Sequence, residues 1–282
     1  MKAPWPSLPA YAELADGVAR VLAPNASMMT GPGTNTYLFG RRQVAVVDPG
    51  PASPEHIDNI IDRAPGPIRW VLVTHTHPDH SPGAEPLASR TGAELLGRPA
   101  PAGPHQDATF RPTRVLEDGD VLETDEFRLE VIHTPGHASN HVCYQHAATN
   151  WIVTGDHVID GSTVVIDPPD GNMAEYLDAL AKVRDRRPAA LLPGHGERID
   201  APREVIDWII EHRLAREAKV LAALGNHPAR TTHELVPHVY QDAPEHLHGL
   251  AERSLLAHLV KLEAEGRAAS SDGRWYASGN EA

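Results

Sequence analysis

One short segment, Thr74-His75-Thr76-His77-Pro78-Asp79-His80, constrains this chain more than any other stretch, because it holds three histidines and an aspartate within six residues. The apolar run at 70–73 before it is typical of a buried strand, so the segment begins where a strand ends. Pro78 and Pro82 prevent a strand or a helix from continuing through it. The backbone therefore turns here, and several polar side chains can face one point.

The donors in this segment indicate a metal site. Imidazole and carboxylate groups without a thiolate suit zinc first, with iron and manganese as alternatives. His75 and His77 are two apart in extended chain and can point the same way. Asp79 and His80 lie beyond the turn and can reach a second, neighbouring ion. A solvated histidine-rich loop is the other interpretation, and we favour a dinuclear metal centre.

The pattern of apolar strand, sharp turn and ligand-type residue recurs three times further along the chain. The runs at 129–132, 151–153 and 190–192 lead into turns that carry His137, Asp156 and His195. We therefore expect one end of the fold to collect ligands. Many other histidines match no such pattern and are predicted to be non-ligands, among them His56, His133, His157 and His212.

The motifs H-T-H-P-D-H, T-P-G-H, T-G-D and P-G-H-G, in this order, resemble those of the metallo-β-lactamase fold over about residues 10–200. The resemblance implies an α/β protein built as an αββα sandwich. By position it assigns one metal to His75, His77 and His137, a second metal to Asp79, His80 and His195, and a bridging role to Asp156.

Several other residues have two interpretations each. Asp48, at a strand end, can orient a ligating histidine or simply begin a turn. Met28 and Met29 lie in a loop that borders the metals in the family, so they form either a substrate wall or ordinary contacts. His105, in a proline-rich connection, either contacts substrate or is solvated. Cys143 lies in a strand-like run and is predicted to pack in the core.

The spacing of apolar residues changes from strand-like to helical at about residue 203. We therefore predict a catalytic domain at 1–202 and a second domain at 203–282. This second part reads as a helix, a short helix with a Thr231–Glu234 capping box, a leucine-striped helix and a hairpin around Asp272-Gly273. This order resembles a winged helix. A metallo-β-lactamase domain followed by this module resembles the lactamase-β-like winged-helix family, some of whose members are endoribonucleases.

Charge and composition narrow the expected partners and location. The formal net charge of −13 disfavours non-specific attraction to nucleic acid or anionic lipid. The C-terminal part has no basic recognition helix, so a role as a cap or in a homodimer is favoured over RNA binding. No apolar stretch is long enough to span a bilayer, and no signal-peptide-like segment opens the chain. A cytoplasmic location without membrane partners is therefore expected.

The expected function is that of a zinc-dependent metallo-hydrolase. Two cations that share a water lower its pKa, and the resulting bridging hydroxide attacks a carbonyl carbon, with Asp79 as the catalytic proton acceptor. A small carbonyl substrate is favoured, namely a thioester, ester, lactone or lactam. The alternatives are a metal-dependent endoribonuclease acting on single-stranded RNA and a non-hydrolytic metal-binding or redox protein.

Overall fold

A computed structural model describes residues 7–226 and 228–278. Seven strands form the first sheet in chain order, antiparallel from β1 to β4 and parallel from β4 to β7. They are β1 (Tyr11–Ala15), β2 (Val18–Leu22), β3 (Asn35–Phe39), β4 (Val44–Val47), β5 (Ile68–Leu72), β6 (Glu94–Gly97) and β7 (Arg114–Val115).

Five strands form the second sheet, in the order β12-β11-β10-β9-β8. Only the pair β11 and β12 is parallel. The strands are β8 (Val121–Glu123), β9 (Arg128–His133), β10 (Val142–His146), β11 (Trp151–Gly155) and β12 (Ala190–Pro193).

The alternation of side chains along the strands produces three apolar layers. Val47 and Leu72 of the first sheet share one buried cluster with Leu129 and Val153 of the second, so these two faces form the central core. The outer face of the first sheet packs on α1 (Pro54–Arg63) and α2 (Ala84–Thr91). The outer face of the second sheet packs on α3 (Met173–Asp185) and the start of α4 (Pro202–Asn226). The αββα sandwich is therefore confirmed.

Two helix starts follow from their capping residues. Ser53 accepts a hydrogen bond from the His56 N–H, directly before a proline in the first turn of α1. Asn172 accepts from the amides of Ala174 and Glu175 at the start of α3. Both capped starts set a helix against the face of a sheet.

The C-terminal part has the predicted winged-helix order. After α4 come α5 (Thr232–Val239), α6 (His248–Ala264) and a hairpin of β13 (Ala268–Ser271) and β14 (Arg274–Ala277). The Thr231–Glu234 capping box is present. These elements share a core that includes Val220, Leu255 and Trp275. The chosen boundary between 202 and 203 stays a prediction, because α4 packs on both parts.

Two further features follow from the sequence. Cys143 is buried in the second sheet, where burial raises the pKa of its thiol to about 12. This agrees with the predicted role of Cys143 in core packing.

Among the helices that the structure describes, none combines the length and the apolar character needed to cross a bilayer.

Candidate metal centre

Four loops meet at one edge of the two sheets, after β5, β9, β11 and β12. Backbone hydrogen bonds join them: the Val142 amide donates to Thr74 O, and the Gly194 amide donates to Gly155 O, each at 2.8 Å. The Asn35 amide also donates to Gly194 O at 2.8 Å. The loops that carry the predicted ligands are thus fixed in two pairs by backbone atoms.

The first group of donors consists of three imidazoles. Nδ1 of His77 lies 3.0 Å from Nε2 of His75 and 3.0 Å from Nε2 of His137. These atoms could hold one metal ion, with all donor atoms within 4.8 Å of one another. The family resemblance predicted this group.

The second group combines two imidazoles and two carboxylates. Nε2 of His195 lies 3.1 Å from Asp79 Oδ2 and 3.3 Å from Asp156 Oδ1. Nε2 of His80 lies 3.4 Å from both of those oxygens. These four donors also lie within 4.8 Å of one another, so the structure brings all seven predicted ligands into two groups.

Asp156 lies between the two groups. Its Oδ1 faces His80 and His195, while its Oδ2 lies 3.7 Å from Nε2 of His137 in the first group. One carboxylate thus offers one oxygen to each group. This is the arrangement that the predicted bridging role requires.

The orientation of the imidazoles is set by oxygen atoms behind them. A carbonyl can only accept, so His137 donates its Nδ1–H to Val165 O at 2.8 Å, and His195 donates its Nδ1–H to Gly33 O at 3.2 Å. His80 donates in the same way to Asp48 Oδ2 at 2.9 Å. In each ring the Nε2 atom therefore points into the site.

Asp48 has the orienting role that was one of its two predicted interpretations. Its Oδ2 also accepts the Thr74 hydroxyl at 2.8 Å, and its Oδ1 accepts the Thr74 amide at 2.7 Å. Because that hydroxyl donates to Asp48, its oxygen accepts Nδ1–H of His75 at 3.0 Å. One buried carboxylate therefore orients a histidine in each group.

The two groups differ in electrostatics. Burial, together with the neighbouring imidazoles, lowers the pKa of His77 to about 3 and holds that of His75 well below its ordinary value. Burial also disfavours charged His80 and His195, but the carboxylates outweigh it. They raise the pKa of His195 to about 9 and that of His80 well above its ordinary value. The first group is neutral, and the second stabilises positive charge.

The donor set fits divalent cations. Buried His80 Nε2, His195 Nε2 and Asp156 Oδ1 have no hydrogen-bond partner among the described residues, although buried polar atoms are normally satisfied. Imidazole nitrogens and carboxylate oxygens that converge on one point are the donors that a metal ion requires. Nitrogen and carboxylate ligands without thiolate are consistent with the predicted zinc, and also with iron or manganese.

A cavity of about 470 Å³ opens onto this site. His77, Asp79, His137 and Asp156 form part of its wall. Among its other lining residues are Asn25, Met29, Pro51, His105, Gln106, Val165, Asp167, Asp170 and Arg253. The donors are therefore accessible to a molecule of small size.

The predictions for the surrounding loops have different outcomes. Met29 lines the cavity, and both Met28 and Met29 are more than half exposed. His105 also lines the cavity, where its Nε2 accepts from Arg253 at 2.6 Å. The four histidines named above as predicted non-ligands are absent from both donor groups of the described chain. Sequence reasoning missed Arg253, which carries no motif and reaches the cavity from the C-terminal module.

Comparison with known families agrees with this geometry. The family model of the metallo-beta-lactamase superfamily matches residues 29–195, and that of the beta-lactamase associated winged helix domain matches residues 231–275. The chain therefore belongs to the metallo-beta-lactamase superfamily, which is largely hydrolytic. Within it, the chain is of the type that carries a C-terminal winged helix.

Two relatives align over most of the chain. A beta-lactamase-like protein 2 homolog of Drosophila melanogaster is 30% identical over 286 residues, covering 95% of this chain and 96% of the relative. An atrochrysone carboxyl ACP thioesterase of Aspergillus chevalieri is 29% identical over 294 residues, covering 98% and 91% of the respective chains.

Solved structures share the whole fold. A beta-lactamase domain protein from Burkholderia ambifaria has a TM-score of 0.81 at 24% identity, covering 96% of this chain and 95% of that one. The metallo-beta-lactamase family protein TTHA1429 from Thermus thermophilus has a TM-score of 0.79 at 21% identity, covering 94% and 100%.

Proposed function

We propose that this protein is a dinuclear zinc hydrolase of small carbonyl substrates, and of thioesters first. The observation that carries the proposal is the convergence of seven donors in two groups, with Asp156 between the groups and four of the donor residues on the wall of one cavity. The thioesterase named among the relatives supports the choice of a thioester. The cytoplasm is the compartment that we propose for it.

The three-histidine group would hold one ion and the carboxylate-rich group the other, with Asp156 common to both. When bound, divalent cations polarise a carbonyl and lower the pKa of water between them. The first group offers neutral imidazoles, which are ready to bind without losing a proton. The second group offers negative charge, which balances a cation in a buried place.

Asp79 is the candidate catalytic residue. Its side chain is 26% exposed and lines the cavity, so it can contact an incoming water. Burial raises the pKa of this carboxyl, but the neighbouring imidazoles of His80 and His195 hold it below its ordinary value. Asp79 is therefore ionised at neutral pH. It can take a proton from water as the water oxygen bonds to the carbonyl carbon, and the proton then goes to the leaving thiolate as the carbon–sulfur bond breaks.

The test compares substrate classes on the zinc-loaded full chain. Acyl-thioesters, lactones, a chromogenic β-lactam and single-stranded RNA are assayed side by side, and the metal content is measured by elemental analysis. We expect close to two zinc ions per chain and the highest kcat/KM on thioesters. Asp79→Ala should remove most turnover, whereas Asp185→Ala, at an exposed carboxylate, should not.

Two outcomes would contradict the proposal. One is RNA cleavage that depends on Asp79 and exceeds thioester turnover in kcat/KM. The other is a metal content of one ion or none after zinc reconstitution. A weak β-lactam activity, far below about 10⁴ M⁻¹s⁻¹ in kcat/KM, is a side reaction of an accessible site and bears on neither.

A further inference from the structure

The C-terminal module contributes one side chain to the cavity. Arg253, in the second turn of α6, lines it together with His77, Asp79 and His137. Among the lining residues in the described chain, it is the only lysine or arginine. The wall beside the metal donors therefore has one permanent positive charge, and the winged helix supplies it.

The guanidinium has unused capacity to donate. Its Nη2 lies 3.0 Å from Asp167 Oδ2 and 2.6 Å from Nε2 of His105. In the part of the chain that the structure describes, its Nε and Nη1 have no protein partner. Arginine presents five N–H donors in a fixed fork, so one edge can remain on Asp167 while another binds an oxyanion.

The acidic surroundings make the positive charge of Arg253 important for binding an anion. The chain has a formal net charge of −13, and the same wall carries the carboxylates of Asp167 and Asp170. The ion pair between Arg253 and Asp167 is about one third exposed on both sides, and such pairs contribute little to stability. Rearranging that pair for a ligand therefore costs little. Away from the metal donors, Arg253 supplies the only permanent positive charge among the described lining residues that an anion could meet.

We propose that Arg253 binds an anionic group of the substrate, a phosphate or a carboxylate, and so makes the winged helix part of the specificity of the cavity. This rests on the proposed function, in which the substrate is a thioester. The anion can then have two sources. It is either a phosphate on the thiol arm or a carboxylate on the acyl part.

The test uses thioethers, which cannot be hydrolysed. The probes are S-butyl-pantetheine, its 4′-phosphate and S-(3-carboxypropyl)-pantetheine, and their Kd values are measured by titration on the zinc-loaded full chain. We expect at least one anionic probe to bind about 10-fold more tightly than the neutral one. Tighter binding of the phosphate probe would place the anion on the thiol arm of the substrate. Tighter binding of the carboxylate probe would place it on the acyl part. Arg253→Ala should abolish the preference, and Arg253→Lys should keep part of it.

Asp167→Asn is the matched control, because it breaks the ion pair while the guanidinium remains. It should keep or increase the preference for the anionic probe. If Arg253 only ties α6 to the loop, Arg253→Ala and Asp167→Asn would weaken all three probes alike, which would overturn the proposal. A wild-type protein without any anionic preference would also overturn it.

Arg253→Gln, which retains a polar side chain of similar length, is the second variant if the alanine protein does not fold. Its melting temperature is measured beside the Kd values, and a folded Arg253→Gln protein that keeps the full preference contradicts the proposal. Because the probes are inert, a failure of thioester turnover would refute the proposed function and leave these Kd values interpretable.

Discussion

At the scale of single residues, the orientation of the metal-site imidazoles depends on hydrogen-bond acceptors on the side of each ring that faces away from the site. The histidines themselves were predictable, since ligand residues at strand ends leave a local pattern in the sequence. The carbonyls of Val165 and Gly33, which hold His137 and His195, were not. Every residue has a carbonyl, so a backbone acceptor leaves no sequence signal, whereas the carboxylate of Asp48 does.

Asp48→Asn should weaken metal binding, and more strongly in the group that contains His80. An amide has one acceptor oxygen and cannot accept from His80 and both Thr74 groups, so the His80 ring loses its fixed tautomer. We expect zinc affinity to fall about 10- to 100-fold, as measured by competition with a chelator. Asp58→Asn, which changes an exposed carboxylate paired with Arg90, is the control. Equal zinc affinity in the two variants would refute this role for Asp48.

A buried histidine in the C-terminal module predicts a pH dependence of stability. Burial, with Arg213 and Lys261 nearby, lowers the pKa of His258 to about 3. The unfolded chain binds a proton below about pH 6.5 and the folded chain does not, so this residue lowers stability as pH falls from there. His258→Leu should therefore flatten the loss of unfolding free energy between about pH 6 and pH 4.5, by up to about 1.4 kcal/mol per pH unit.

The measurement is urea denaturation of both proteins at each pH, and the quantity compared is the difference in the slope of stability against pH. At neutral pH the leucine variant should be at least as stable, because neither ring nitrogen of His258 has a hydrogen-bond partner among the described residues. Parallel curves for the two proteins would show that His258 does not stay neutral in the fold.

At the scale of elements, the site depends on how closely loops and helices approach one another. The strands that precede ligands, β5, β9, β11 and β12, were predicted because each is a short apolar run before a turn. The half-buried β1 and the four-residue β6 were not predicted, since neither has a clear alternation of apolar and polar residues. The packing of α3 on the loop that carries His137 was also beyond prediction. This packing depends on Gly136, which lies against the backbone of Tyr176, 40 residues further along the chain.

Gly136→Ala should test this approach. At φ +130°, an added Cβ would lie 2.4 Å from the backbone N and Cα of Tyr176, at the start of α3. Backbone atoms cannot move away cheaply, so we expect a loss of about 3 kcal/mol or more in unfolding free energy and reduced metal binding by the three-histidine group. Denaturation and elemental analysis measure both effects.

Gly119→Ala is the matched control for backbone strain alone. Gly119 also has a positive φ, +83°, but no atom lies within 4 Å of its added Cβ. This variant should lose only about 1 kcal/mol and keep its metal. If Gly136→Ala were no worse than Gly119→Ala, the close approach of α3 would not constrain the ligand loop.

At the scale of the whole molecule, the catalytic part and the C-terminal module share more buried contacts than the sequence pattern of either part indicates. The change from strands to helices near residue 203 was visible in the sequence. The sequence could not show that Ile206 and Ile209, early in α4, are fully buried with the outer face of the second sheet, or that Ala257 of α6 joins them. Such contacts between distant segments depend on the packing angle of helices, which periodicity does not encode.

A chain that ends after Asp200 should therefore be poorly stable. It would lose Ile206, Ile209 and Ala257 from a core shared with Ile132 and Tyr176 and expose that apolar face to water. Burying an isoleucine contributes about 1.5–3 kcal/mol, so the two isoleucines alone account for a large part of a typical stability of about 5–15 kcal/mol. We expect aggregation, or a melting temperature well below that of the full chain, in thermal denaturation.

Two substitutions in the full-length protein separate this packing effect from the loss of chain. Ile209→Ala should cost about 2–5 kcal/mol, while Val260→Ala, at a side chain that is 42% exposed, should cost less than about 0.5 kcal/mol. A truncated protein that kept its stability, its oligomeric state and its substrate affinity would show that the module is independent of the catalytic core. The contacts of α4 argue against that result, because the helix that begins the module also covers the sheet that carries His137 and Asp156.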